Sequence, residues 1–222
     1  MFFKEAVEPQ LLDMIASLQS EPLLKTHILA GGTALALQIG HRRSTDIDLF
    51  SNKEQNNGLI LEYLQKKYGN YELFLINKDV LRLSVKGIKI DIIKTMSNII
   101  DEPLSEDGIT LFGKKDIAAM KLRAIMLREK NRDFIDIAYL MKEHSLQSML
   151  EYYQIKYGTH DVAVVKTSLL KCRDIKDWNE DIDMLKDDMK LENIPILIEH
   201  ELNILNRKKN IGIKKIFKTR RM

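Results

Sequence analysis

The chain has little cysteine and no long apolar run. Its 222 residues contain one cysteine, Cys172, which excludes an internal disulfide and predicts a reducing, intracellular setting. The apolar runs are far too short to cross a bilayer, and the first residues lack the charged-then-apolar layout of a secretory signal. We therefore expect a cytoplasmic protein with no membrane partner.

Net charge is also low, at +3, but it is unevenly distributed. The last 16 residues, 207–222, hold eight basic side chains and no acidic one. The rest of the chain has 27 basic and 32 acidic residues, a balance of −5. A basic tail on a mildly acidic body could contact a phosphate backbone or an acidic partner, and a solvated terminus is the alternative.

The order of the predicted elements divides the chain into two parts. Six strand-like runs and a few helix-like ones come first, with Lys86-Gly87 predicted as a tight hairpin turn, and only helical periods follow. The predicted parts are a mixed-sheet core domain at 1–112, a helical domain at 113–206 and a basic tail at 207–222. Among the predicted helices are those over 4–19 and 179–190.

Gly31-Gly32-Thr33 lies where a predicted buried strand meets a predicted helix. Free N–H groups and the helix dipole favour an anion at such a junction, and glycine lets a phosphate approach the backbone closely. The Thr33 hydroxyl can donate a hydrogen bond to a phosphate oxygen. These three residues are therefore candidate nucleotide-binding residues, although a Gly-Gly turn followed by an ordinary threonine N-cap has the same sequence.

Asp46 and Asp48 follow at the length of one helix, on the next predicted strand. Side chains at i and i+2 of a strand project to the same face, and two carboxylates there repel each other unless a cation lies between them. Mg2+ prefers oxygen ligands and leaves room for substrate phosphates. The pair is therefore predicted to hold Mg2+, with Mn2+ as an alternative ion. A solvent-facing pair at a strand edge is the competing interpretation.

Asp91 lies between two isoleucines of a later strand, where a carboxylate without a partner is costly to bury. If this strand lies beside that of Asp46 and Asp48, the three carboxylates form a cluster. Such a cluster could hold two metal ions and accept the proton of an attacking hydroxyl. An exposed residue on a half-buried strand explains Asp91 equally well.

Basic residues near the aspartate pair could neutralise phosphate. Lys121 has apolar neighbours one helical turn away on each side, so its amine must reach solvent or an anion such as a nucleotide phosphate. Arg42 and Arg43 come shortly before the aspartate pair and could bind a triphosphate or RNA. Surface solvation is the alternative for these arginines.

Two aspartates on a later predicted helix have structural explanations. Asp133 can cap the helix that it begins, and Asp136 can pair with Arg132. On the residues alone, both are interpreted as structural.

Taken in order, these motifs resemble those of the AbiEii/AbiGii nucleotidyltransferases, a branch of the DNA polymerase beta-like nucleotidyltransferase superfamily. The first block is Gly31-Gly32-Thr33-Ala34-Leu35 followed by His41-Arg42-x-Ser44-x-Asp46-x-Asp48-x-Phe50. The second block is Lys121-Leu122-x-Ala124, then Arg128, then Arg132-Asp133-x-x-Asp136. The resemblance runs from about residue 25 to residue 140. The superfamily usually has Gly-Ser where this chain has Gly32-Thr33, and the third carboxylate is not tied to a sharp motif.

The resemblance implies an α+β fold, with a small mixed β-sheet lobe that carries the metal site, followed by a helical lobe. It implies Mg-dependent transfer of NMP from an NTP to an acceptor hydroxyl on tRNA, another RNA or a protein. It also implies a toxin in a toxin–antitoxin or phage-defence system, with a cognate antitoxin as partner. Carried over by position, Gly32 and Thr33 would bind phosphates, Asp46 and Asp48 would bind metal, and Lys121 and Asp133 would complete the site. The alternative is a non-catalytic nucleotide- or RNA-binding module that retains the fold.

Overall fold

The computed structural model describes the backbone of residues 1–219 and the side chains up to Arg207. Strands from the first half of the chain form one mixed sheet. In chain order, the strands are β1 (Ile28–Leu29), β2 (Ile47–Ser51), β3 (Tyr71–Ile76), β4 (Val80–Val85), β5 (Ile88–Lys94), β6 (Leu104–Glu106) and β7 (Ile109–Leu111). The α-helices are α1 (Pro9–Ser20), α2 (Gly31–Ile39), α3 (Asn57–Tyr68), α4 (Lys114–Leu127), α5 (Asn131–Leu140), α6 (Leu146–Tyr157), α7 (Ala163–Leu169) and α8 (Ile194–Thr219).

The sheet has the strand order β3-β4-β5-β2-β1-β7-β6. The pairs β2–β5 and β1–β7 are parallel, and the other neighbouring pairs are antiparallel. Lys86 and Gly87, with φ values of 52° and 80°, form the turn between β4 and β5, which confirms the predicted hairpin. The mixed sheet followed by helices confirms the predicted α+β fold.

One face of the sheet belongs to the hydrophobic core. Alternate residues of the central strands point into it, and Leu49, Leu83 and Ile92 are fully buried. Helix α3 packs against β3 and β4, while α2 packs against β2 and also against α4 and α5. Helix α2 therefore lies between the sheet and the later helices, and its first residues lie where the two parts meet.

Two predicted helices differ in the structure. The helix predicted over 4–19 begins only at Pro9, because proline fits the first turn and keeps the preceding Glu8 extended, with ψ of 141°. Residues 179–190 form turns, bends and one β-bridge, from Met184 to Arg42, since this segment lies against the loop before β2. There Arg43 donates its backbone N–H to the Asp183 carbonyl (2.8 Å), and Leu185 donates to that of His41 (3.0 Å). Strand β6, at the sheet edge, was not predicted.

The tail predicted at 207–222 lies almost wholly outside the residues whose side chains are described. Strand β7 ends at Leu111 and α4 begins at Lys114, and the division of the chain into separate domains stays a prediction. Cys172 is buried. In the described part of the chain, no helix combines the length and apolarity that a membrane span requires.

Candidate active site

The sheet brings Asp48 and Asp91 side by side. Strands β2 and β5 are parallel, and their register sets Asp48 opposite Asp91, so both side chains project from the face opposite the core. Asp46 lies just before β2, and its carboxylate accepts a hydrogen bond from Arg132 Nη1 at 3.1 Å. The three carboxylates predicted from the sequence thus lie in one place.

Asp48 has the most perturbed electrostatics of the three. Burial, together with the nearby charges of Asp91 and Asp46, raises its pKa from 3.8 to about 6. Its carboxylate makes no hydrogen bond or ion pair with another described residue. Asp91, by contrast, accepts two-pronged hydrogen bonds of 2.7–2.9 Å from the Arg82 guanidinium. Asp48 is therefore the carboxylate whose ionised form is most destabilised, and a bound cation would stabilise it most.

A cavity of about 390 Å³ opens over these carboxylates. All three line it, and so do Ser44 and Phe74. Basic side chains from both halves of the chain also line it, namely Arg42, Arg82, Lys89, Lys121, Arg128 and Arg132. Six cations around three carboxylates suit a polyanionic ligand that brings its own metal ion.

The first residues of α2 lie against the carboxylates. Gly31 has a φ of 69°, a left-handed conformation that favours glycine, and a Cβ added to it would overlap the Asp48 carboxylate. A Cβ on Gly32 would collide with the Arg42 guanidinium. Both glycines therefore allow charged side chains to approach the helix start closely. Thr33 is fully buried, and its hydroxyl bonds Ser44 Oγ (2.9 Å) and the Asp46 carbonyl, so it braces this loop.

We expect Gly31→Ala to impair both activity and stability. The alanine would have to keep a positive φ and displace the Asp48 carboxylate, which should lower the free energy of unfolding by about 1–3 kcal/mol. Thermal unfolding and a nucleotide-transfer assay measure the two effects. Gly58→Ala is the matched control, because Gly58 is the second residue of α3 and its added Cβ meets only Asn56 Oδ1, at 3.4 Å. Should Gly31→Ala behave like Gly58→Ala, the close approach of Asp48 would be unimportant.

Lys121 is buried in α4 and lies between two aspartates of α5. Its amine is 2.8 Å from Asp133 Oδ1 and 2.6 Å from Asp136 Oδ2. Burial lowers the pKa of Lys121, but the two carboxylates outweigh it, so the net shift is upward and the amine stays charged. Asp133 also accepts from Arg128 Nε at 2.8 Å. Lys121 thus lines the cavity, whereas Asp133 is fully buried, does not line it and holds Lys121 in place. Asp133 does not cap its helix with its side chain.

The two arginines before the aspartate pair point in different directions and bind different partners. Arg42 is buried and donates to both oxygens of Asp136, at 2.8 and 2.9 Å, while its guanidinium also lines the cavity. Arg43 points away and pairs with Asp183 at 2.9 Å, so the structure does not bring it to the cavity. Asp136 does not pair with Arg132, contrary to the sequence-based interpretation, because Arg42 and Lys121 occupy it.

Phe74, Arg82 and Lys89 line the cavity but belong to neither sequence motif. A signal for two of them was present, because Lys89 precedes Asp91 by two residues on the same strand. A two-residue turn at Lys86-Gly87 also sets Arg82 opposite Asp91. Phe74 had no such signal, because it lies on β3, two strands away from the strand of Asp91. Arg128 and Arg132 belong to the second motif, but they were not predicted as site residues.

The donor chemistry of the carboxylates fits a hard divalent cation such as Mg2+, which prefers oxygen ligands. Among the described residues, no three acidic, histidine or cysteine side chains already converge as a metal site. Arg132 holds Asp46 and Arg82 holds Asp91, so an ion would compete with these arginines.

Comparison with known proteins identifies the family. The sequence profile described as nucleotidyl transferase AbiEii toxin, type IV TA system, matches residues 13–199. The chain belongs to the AbiEii family. It is therefore a nucleotidyltransferase, as the motifs predicted, and the alternative of a non-catalytic module loses its support.

Two relatives of this AbiEii-family chain extend the comparison. The uncharacterized protein aq_aa25 of Aquifex aeolicus (strain VF5) is 31% identical over 154 residues, which cover 67% of this chain and 75% of that protein. The crystal structure of JHP933 from Helicobacter pylori superimposes with a TM-score of 0.53 at 18% identity, covering 96% of this chain and 99% of that one. At this identity, the structural likeness shows the fold alone.

Proposed function

We propose that this protein uses Mg2+ to transfer NMP from an NTP to an acceptor hydroxyl on RNA or protein, as the toxin of a toxin–antitoxin or phage-defence system. One observation carries the proposal: Asp48 lies beside Asp91 in the register of β2 with β5, and the same carboxylate lies against Gly31 at the start of α2. Carboxylates and a phosphate-accepting backbone thus share one cavity. This is the arrangement that a metal-bound triphosphate requires.

The triphosphate would bind between the start of α2 and the basic side chains of the helical half. Gly31 and Gly32 let Asp48 and Arg42 lie against the start of the helix, where its free N–H groups and the Arg42 guanidinium can bind phosphate oxygens. Arg128 and Arg132, from the helical half, line the cavity and can neutralise the phosphates. Because phosphoryl-group transfer depends mostly on positioning and charge neutralisation, these contacts account for much of the expected catalysis.

Asp46, Asp48 and Asp91 would hold Mg2+. When bound, this ion supplies positive charge that stabilises the pentavalent phosphate and favours ionisation of the attacking hydroxyl. A cation beside Asp48 would also favour the ionised form of this carboxylate, whose pKa is otherwise raised to about 6.

In the transfer itself, the acceptor oxygen forms a bond to the α-phosphorus while the bond from that phosphorus to the bridging oxygen of the β-phosphate breaks. Pyrophosphate leaves with the electron pair of the broken bond. Asp91 accepts the proton of the hydroxyl, and Arg82, which holds Asp91 in the structure, is then free to pair with a phosphate. Arg82 thus has an ion-pair partner both before and after substrate binds.

The test is a screen of the four α-labelled NTPs with total RNA and lysate protein. We expect one polymer to take label in the presence of Mg2+ and none to do so with a chelator. The double variant Asp46→Ala/Asp48→Ala should abolish labelling, and full activity in this variant would overturn the mechanism. For the toxin role, induced expression should arrest growth, and this arrest should disappear with Asp46→Ala.

A further inference from the structure

The half of the sheet beyond Asp91 leaves its outer face uncovered. On β4 and β5, Leu81, Leu83 and Ile90 point into the core, while Arg82 and Lys89 alternate with them and point outward. Arg82 is 47% exposed, although it lies on an interior strand of the sheet. This interior strand therefore presents an exposed cation next to the reactive carboxylates. Such a surface is suited to binding a ligand.

Phe74, which lies at a bulge in the edge strand, adds an aromatic ring to this surface. The pairing of β3 with β4 shifts between Leu73 and Leu75, and Phe74 has no partner residue in the register. Bulges occur often beside functional sites, where they redirect a side chain. Phe74 lines the same cavity as Arg82, Lys89 and Asp91, yet it is 45% exposed. The ring therefore has one side available to a flat partner.

The line along which the acceptor attacks indicates which substrate lies on this surface. In an in-line displacement, the acceptor oxygen approaches the α-phosphorus from the side opposite to the departing pyrophosphate. The glycines that would hold the phosphates lie beside β2, and the strand order then leads through β5 and β4 to β3. The acceptor hydroxyl therefore approaches over β5, and the body of the acceptor extends towards β3. With strands about 4.8 Å apart, β3 lies about 10 Å from the strand of Asp91.

We propose that Phe74, Arg82 and Lys89 form the acceptor subsite, and that the acceptor is an RNA whose terminal base stacks on Phe74. This inference rests on the proposed function, whose acceptor it specifies. An aromatic face next to cations is the combination that binds a single-stranded nucleic acid, because the ring takes the base and the cations take the backbone phosphates. Arg82 and Lys89 lie between the ring and the reactive carboxylates, where the phosphates nearest the terminal hydroxyl would fall.

The test measures RNA binding without turnover. Fluorescence anisotropy would follow a short single-stranded RNA, labelled at its 5′ end, and the same RNA without its 3′-terminal base. The proteins are the wild type, Phe74→Ala and Ile76→Ala. Ile76 is the matched control, because it lies on the same strand with 42% exposure but pairs with core-facing Leu81 and so projects to the other face.

We expect the wild type and Ile76→Ala to bind the complete RNA about tenfold more tightly than the RNA without its terminal base. Phe74→Ala should bind both RNAs equally and weakly, and in a transfer assay it should raise the KM for RNA while leaving the KM for NTP unchanged. Equal binding of the two RNAs by the wild type would overturn the proposal, as would a Phe74→Ala effect on the KM for NTP alone. Because binding needs no transfer, the result stands even if the Mg-dependent reaction fails.

Discussion

Asp48→Asn is expected to lower NMP transfer about a thousandfold or more while it leaves the fold intact. The substitution keeps the shape of the side chain that packs against Gly31, but it removes a charge beside Asp91. Loss of a metal-binding charge at the reacting phosphate costs several kcal/mol in the transition state, and each 1.36 kcal/mol corresponds to a factor of about ten in rate. Initial rates of label transfer at saturating NTP measure the loss.

The same variant should be more stable than the wild type. Burial and the neighbouring carboxylates raise the pKa of Asp48 to about 6, so the charged form is disfavoured in the folded protein. A folded-state pKa above the unfolded value means that stability is lost as pH rises from about 4 to 6. At pH 7, removal of the charge should therefore raise the free energy of unfolding by up to about 3 kcal/mol in a chelator.

Asp13→Asn is the control for both measurements, since Asp13 is exposed on α1, away from the cavity. It should keep wild-type activity and change stability by no more than about 0.5 kcal/mol. An Asp48→Asn variant with wild-type turnover would remove Asp48 from the site. A variant that is inactive but also unstable would show that the carboxylate serves packing as well as chemistry.

Much of the candidate site could be predicted because it depends on short-range rules. Alternation along a strand sets Asp46 and Asp48 on one face, and the hairpin turn fixes which residue of β4 faces Asp91. The parallel pairing of β2 with β5 needed an assumption about sheet order, which the structure confirms. The same alternation explains the arginine that does not reach the cavity, because consecutive extended residues such as Arg42 and Arg43 point in opposite directions.

Contacts between distant segments could not be predicted. Arg42 and Asp136 are 94 residues apart, and no local pattern indicates that one binds the other. Phe74 lies on β3, two strands away from the strand of Asp91, and no local pattern indicates that the cavity extends so far. Residues 179–190 have a helical spacing of apolar residues, but contacts with the loop before β2 replace the helix.

Asp136→Asn is expected to cause the largest loss of stability among single substitutions at this site. The Asp136 carboxylate is fully buried and accepts hydrogen bonds from His41 Nε2 (2.8 Å) and from Arg42, while the Lys121 amine lies 2.6 Å away. Burial opposes its ionisation, but Arg42 and Lys121 hold the pKa of Asp136 well below its ordinary value. An amide leaves the buried guanidinium of Arg42 without its counter-charge and leaves Lys121 with Asp133 alone, which costs about 3–5 kcal/mol.

Urea unfolding at pH 7 measures this loss, and Glu143→Gln is the control, because the pair of Glu143 with Lys114 is largely exposed. The pH dependence of the free energy of unfolding separates the contribution of the Asp136 charge from that of its packing. A depressed folded-state pKa contributes stability that is present above about pH 4 and is lost as pH falls further. The difference in free energy of unfolding between the wild type and Asp136→Asn should therefore become smaller as the pH falls below about 4. A difference that is constant with pH would mean that Asp136 stabilises the fold by shape and hydrogen bonding alone. A narrowing difference would mean that the charge of one aspartate joins the loop of Arg42 to the helix of Lys121, and so fixes two cavity cations in place.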